Sequence, residues 1–152
     1  MMNWLMKSEP DAYSIQKLQK EKKTWWTGVR NYQARNYMMK DMKVGETVLF
    51  YHSNAEPPGI AGLAKVSRLA EPDPTQFDKK SDVFEARASK AKPMWFCVEV
   101  EFVAIFPRFI SLQDLRDEKK LTTMQVLKKG QRLSIQPVTD RELSVVKKMG
   151  GL

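Results

Sequence analysis

Cysteine and histidine are nearly absent: Cys97 and His52 are the only examples of each in 152 residues. A lone cysteine excludes an intramolecular disulfide and a cysteine-based zinc cage, and a lone histidine excludes a multi-histidine metal centre. No metal is expected, and no cofactor motif is read in the sequence. Long apolar runs are missing too. Charges interrupt every candidate before the roughly 20 residues needed to cross a bilayer, so no membrane partner is expected. Lys7, Glu9 and Asp11 stand where a secretory signal would need its apolar stretch, which argues against export. The lack of a basic N-terminal tail suggests a stand-alone, bacterial-style domain in the cytoplasm. Neither a G-x-S-x-G elbow nor a G-x-x-x-x-G-K phosphate loop is found, and no repeat or low-complexity segment interrupts the chain.

What is present describes a folded, basic chain. Hydrophobic residues make up 42% and charged residues 29%, which suits one core of ordinary size, so residues 1–152 read as a single domain. The 26 lysines and arginines exceed the 18 acids, for a net charge of +8. The excess lies in both ends, with nine bases against five acids in residues 1–50 and ten against six in residues 101–152. Folded onto one face, such ends would attract phosphates. Spread over the surface, they would be solvated lysines and nothing more.

Periodicity gives the elements. Trp4–Met6 reads as a buried strand that Pro10 brings to a turn, and Ser14 as the N-cap of a helix to about Glu21. Thr24–Arg30 reads as an aromatic loop pivoting on Gly28, with Asn31 capping a helix to about Met42. Thr47–Ser53 and Ile60–Leu69 read as strands, the small Gly59, Ala61, Gly62 and Ala64 permitting close approach by a backbone or a ligand. Glu71–Pro93 reads as a long surface loop with one helical turn near Pro74–Phe77, long enough to mediate a contact between subunits. Met94–Phe106 is the clearest strand, ended by Pro107. Ser111–Asp114 and Thr139–Glu142 resemble capping boxes. A short helix over Thr123–Lys128 and a strand over Arg132–Gln136 complete a compact mixed domain, with a curved sheet or small barrel as its frame.

Catalytic readings are thin. Cys97 lies mid-strand between apolar neighbours, as a small core residue does. His52 and Ser53 are adjacent on a strand and so point to opposite faces. Glu99 and Glu101 share one strand face, as the wet side of an edge strand would. Binding reads better. Trp25, Trp26, Arg30, Asn31, Tyr32, Gln33, Arg35 and Asn36 fall within twelve residues. Flat rings, guanidinium forks and amides are the groups that hold an unpaired base and its phosphates. Spacing alone favours the plainer account, in which Trp25 and Trp26 are core aromatics and Asn31 only a helix cap.

Several longer motifs shift that balance. Trp4-Leu5-Met6-Lys7-Ser8-Glu9-Pro10, Gly28-Val29-Arg30-Asn31-Tyr32-Gln33-Ala34-Arg35-Asn36, Phe50-Tyr51-His52-Ser53-Asn54 with Pro57–Gly62, Phe106-Pro107-Arg108 and Gly130–Val138 occur in order. Together they resemble the EVE domain family over nearly the whole chain. The resemblance implies an α+β, PUA-like fold, a small mixed β-barrel flanked by helices. It also implies a non-catalytic reader of a modified base in DNA or RNA, modified cytosine above all, held flipped or unpaired in an aromatic pocket. Carried over, Lys7, Ser8 and Glu9 line the pocket, Trp26 is the stacking plate, and Val29 and Asn31 form its edge and helix mouth. Tyr51, His52 and Ser53 form the opposite wall, Arg30 stands at the edge, and Arg132 and Gln136 come from the closing motif; by residue type, Arg30, Arg35 and Arg132 are the expected phosphate contacts. Thr27 stands where many relatives carry an acid, and Asn3 where many carry an aromatic residue. The alternatives are an enzyme acting on a modified nucleoside in the same pocket, using Lys7, Glu9 or His52, and a peptide-binding module. Oligomeric state, and DNA against RNA, stay open.

Overall fold

The pleat of the first strand divides the molecule in two. A computed structural model describes residues 1–152. In β1 (Asn3–Ser8), Trp4 and Met6 enter one apolar cluster while Leu5 enters another on the opposite face. β3 (Thr47–His52) repeats the division, with Val48 and Phe50 on the first side and Leu49 and Tyr51 on the second.

Six strands form one mixed sheet in the order β2-β5-β4-β3-β1-β6. β2 is Lys23–Trp25, β4 Gly59–Pro72, β5 Phe96–Ser111 and β6 Ile135–Val138. β1 runs parallel to β3 and antiparallel to β6. A parallel neighbour requires a crossover, and residues 9–46 supply it with α1 (Ile15–Glu21), β2 and α2 (Tyr32–Asn36). α2 continues into a wider π turn over Tyr37–Asp41, so the helical stretch ends at Met42, where the periodicity placed it. On the second side lie α3 (Leu112–Asp117) and α4 (Asp140–Met149), each opened by a complete capping box. No helix is long and apolar enough to cross a membrane.

The fold is α+β as expected, but the hydrogen-bonded sheet is open, with β2 and β6 as its edges. β4 and β5 pair with four register shifts, and such irregularities bend and twist a sheet. One of them sets Phe106–Phe109 against Ala61 alone, so the strand passes Pro107, where the sequence had placed its end. Small residues in β4 serve backbone approach: a Cβ on Gly59 or Gly62 would strike the backbone of Ile110 or Ala104. The segment 73–95 is bound to its own body. Buried Gln76 donates to Asp73 O and Trp95 O and accepts from the amides of Met94 and Trp95. Its Pro74–Phe77 turn is the predicted one. Two 3₁₀ turns, Lys119–Leu121 and Gln125–Leu127, replace the helix expected over Thr123–Lys128, and the last strand begins at Ile135 rather than Arg132.

Candidate functional site

Curling brings the two edges of the open sheet towards one cavity. It measures about 310 Å³ and is bordered by Thr24 and Trp25 of β2, by Lys7 and Ser8 at the end of β1, and by Ser134 just before β6. Trp26, Thr27, Gly28, Val29 and Arg30 close one side and Tyr13 another. Cavities that take small ligands begin at about 300 Å³. The site is the seam at which a barrel would close.

Its deepest wall is Trp26, which is 7% exposed and meets Phe50 edge-to-face at 5.4 Å between centroids. This tryptophan belongs to the core cluster and also lines the cavity. The indole N–H groups of Trp4 and Trp95 are taken by Glu46 and Glu85. That of Trp26 has no acceptor in the protein, yet no buried polar side-chain atom is left unpaired. The Trp26 N–H therefore reaches solvent and is free to donate. Ser8 Oγ donates to Tyr13 O at 2.7 Å, which fixes its proton and leaves its lone pairs to accept.

The loop that carries Trp26 is held from a distance. Gly28 has φ +87°, and its N–H donates to Asp73 Oδ2 at 2.8 Å across 45 residues of sequence. The Asp73 side chain is fully buried and also receives the Thr75 amide, the Thr75 hydroxyl and Arg30 Nη1 at 3.1 Å. Burial opposes its ionisation, but the Thr75 hydroxyl, the Gly28 and Thr75 amides and the Arg30 guanidinium outweigh it, holding its pKa below the ordinary carboxylate value. Sequence reading missed Asp73. The local signal was its place as N-cap before Pro74; its partners could not be seen.

The structure gathers some of the proposed residues and separates others. Lys7, Ser8, Trp26, Val29 and Arg30 border the cavity. Glu9 is exposed and accepts from Asn54 Nδ2. Asn31 caps α2 by accepting from the Ala34 amide. The opposite wall expected from Tyr51, His52 and Ser53 is not there. Tyr51 follows Phe50, so the pleat turns it into the other core. His52 lies beneath α1, accepting the Ile15 N–H through Nε2 at 3.2 Å; burial pushes its pKa down and keeps the ring neutral. Ser53 gives its amide to Ser8 O. Gln136 is buried and donates to Leu133 O.

The arginines divide in the same way. Arg30 is consumed by Asp73, Thr75 Oγ1, its own Val29 O and Val83 O, so it builds the wall rather than offering a free fork to phosphate. Arg35 donates to Met94 O and Asn36 Oδ1, both uncharged. Arg132 is exposed with no carboxylate within ion-pair distance. Lys7, half-buried, also lacks such a carboxylate, and its ammonium stands 5.7 Å from the centre of the Tyr51 ring. Desolvation lowers its pKa. Cys97 is buried, with its thiol pushed up to about 12 by that burial and by the charges of Asp73 and Glu71. It is no nucleophile at neutral pH. Glu101 is engaged by Lys23 and Lys65, and Glu99 by Ser67, on a strand that lies between two others rather than at an edge. No group of three or more His, Cys, Asp or Glu side chains is placed to hold a metal ion.

Comparison with known proteins places this architecture. The EVE domain family model matches residues 2–149. Thymocyte nuclear protein 1 of Homo sapiens is 43% identical over 163 residues, covering 95% of this chain and 72% of that protein. Across the vertebrate thymocyte nuclear proteins the chain spans between 66% and 72% of their length. A crystal structure of a Pseudomonas syringae protein superposes with a TM-score of 0.93 at 41% identity, covering 97% of this chain and 99% of that one. The human THYN1 protein, crystallised in complex with 5-methylcytosine-containing DNA, superposes with a TM-score of 0.92 at 40% identity, covering 100% of this chain and 99% of that one. The chain belongs to the EVE domain family.

Proposed function

We propose that this protein binds nucleic acid as a reader of a modified cytosine, taking one base out of its strand into the cavity at the sheet seam. The observation that carries the reading is the cavity itself, a space of about 310 Å³ lined by the Trp26 indole and by Ser8, whose hydroxyl is fixed as an acceptor. The similar THYN1 structure, in complex with DNA containing 5-methylcytosine, supports the same ligand class.

In this reading the base lies against Trp26, and Ser8 Oγ accepts from an amino group on its edge. The Trp26 N–H donates to a ligand oxygen at the rim. Arg132, exposed and without a carboxylate partner, meets the phosphates, while the Lys7 ammonium lies against Tyr51 on the other face of β1. Arg30 acts indirectly, by fixing the loop. Unstacking a base from a duplex costs a few kcal/mol and a stacked base returns roughly 1–3 kcal/mol, so stacking alone about breaks even. The edge and phosphate contacts supply the net affinity. Around the cavity the hydroxyl paired with a carboxylate is that of Tyr13, which donates to Glu21 and has its pKa raised to about 12 by burial and by that carboxylate; Ser8 donates to a carbonyl, His52 is engaged beneath α1, and Glu9 is exposed. This supports binding over turnover.

The test is fluorescence anisotropy with oligonucleotides carrying one 5-methylcytosine or one cytosine. Trp26→Ala is expected to weaken binding about 10- to 100-fold. Trp26→Phe, which keeps a ring but no N–H, should fall between the two. Unchanged affinity in Trp26→Ala would remove the cavity from the account.

A further inference from the structure

Two residues beyond Arg30 the chain presents a second aromatic surface that the cavity does not use. Tyr32 is 51% exposed, and its ring stacks on buried Trp95 with centroids 5.0 Å apart and planes 20° from parallel. Trp95 is locked. Its N–H donates to Glu85 Oε1, Arg87 clamps that carboxylate with Nε on Oε2 and Nη2 on Oε1, and the Arg30 guanidinium lies 5.4 Å from the Trp95 ring centre. Arg35 Cζ stands 4.8 Å from the Tyr32 centroid and 5.8 Å from that of Trp95. Those three distances make a nearly equilateral triangle. Arg35 is therefore beside the stack, because a group over the far face of Tyr32 would lie almost twice as far from Trp95. The outer face of Tyr32 is left open. Arg35 bonds only to uncharged acceptors and keeps an uncompensated positive charge there.

An open, immobilised ring beside an unneutralised guanidinium is the combination that holds a nucleobase and its phosphate: the ring offers a π-face to any base and the cation meets the backbone. Because Trp95 fixes the ring in advance, little side-chain freedom is lost on binding. Arg30 ties the two places together, lining the cavity on one side and covering Trp95 on the other. We infer that Tyr32 is a stacking platform for a nucleobase flanking the one in the cavity, with Arg35 at the intervening backbone. The inference rests on the reading of the cavity as a base site. It assigns α2 a share of the affinity that does not depend on the modification.

The test uses three single-stranded probes: 5-methyldeoxycytidine monophosphate, a 7-mer with a central 5-methylcytosine, and the same 7-mer with abasic sites on both sides of it. Wild-type protein should bind the intact 7-mer more tightly than the abasic one. Tyr32→Ala should weaken the intact 7-mer roughly tenfold, within the range of one stacked base. It should leave the monophosphate and the abasic 7-mer unchanged, and Tyr32→Phe should bind all three as wild type does. Equal losses on all three probes would mean that Tyr32 only supports the fold, and no loss on the intact 7-mer would mean that it touches no base; either result overturns the inference. Trp26→Ala separates the two readings, since it should weaken all three probes. A Trp26 effect without a Tyr32 effect leaves the cavity standing and removes the platform. If wild-type protein binds none of the probes, both fall.

Discussion

The two sides of the sheet are built by different rules. On the α3 and α4 side the apolar cluster contains Leu5, Leu49, Leu115, Leu121 and Val146, and both helices start with capping boxes that satisfy themselves within three residues. On the α1 and α2 side the cluster is larger and contains Trp4, Trp26 and Phe50. Its polar groups reach across the chain: Gly28 to Asp73, Arg30 to Val83 O, Arg35 to Met94 O. One side is a lid of helices stabilised locally. The other holds an open cavity because distant segments pin its rim. Stability without a site, and a site that needs long-range ties, can thus coexist on one sheet.

Asp73→Ala should break the contrast most severely. It strips partners from two amides and a guanidinium, and breaking a buried pair costs about 3–5 kcal/mol. Urea unfolding should show a loss near the low end of that range, since Arg30 keeps some solvent contact, and oligonucleotide binding should fail with it. Leu115→Ala removes a fully buried side chain from the opposite core. A loss of about 3 kcal/mol is expected there, with binding unchanged once the protein is folded. If Leu115→Ala impaired binding as much as Asp73→Ala, the two sides would not be independent.

Acid should act next, on the cavity side. The lowered pKa of His52 means that the folded state resists protonation below the ordinary value of 6.5. As pH falls through that value the unfolded chain takes up the proton first, so stability declines by up to about 1.4 kcal/mol per pH unit until the folded pKa is passed. His52→Gln should flatten the decline between pH 6.5 and 5.5, and a flat wild-type curve there would contradict it. The Asp73 contribution is separate. It is fully present above the ordinary carboxylate pKa and is lost only as pH falls below it. The smallest effect concerns the ligand. A buried methyl group is worth about 0.8 kcal/mol, so 5-methylcytosine should be preferred over cytosine by only about fourfold unless polar groups are left unpaired by the plain base.

Elements whose signals are local were legible in the sequence. The caps Ser14, Asn31, Ser111 and Thr139, the Gly28 pivot and the Pro74–Phe77 turn all lie where the residues pointed. β2 leaves no signal because three residues carry no period, and the far end of β5 is hidden because a bulge lets the strand continue past Pro107. At the site, residue type was legible and direction was not. Arg30 looks like a phosphate ligand in any linear reading, but its partners, Asp73 and Val83 O, become neighbours only through the fold. Tyr51 lies one pleat away from the cavity side, and Lys7, its neighbour across β1 and β3, is a half-buried ammonium 5.7 Å from its ring, without a carboxylate partner.

The most direct measurement follows the four tryptophan indole N–H resonances while a single-stranded 7-mer with one 5-methylcytosine is titrated in, the Trp26 signal being assigned by its loss in Trp26→Phe. Trp26 should shift progressively and saturably, while Trp4, sealed against Glu46, stays in place. Saturable binding that leaves the Trp26 resonance unmoved would contradict a base in the seam cavity.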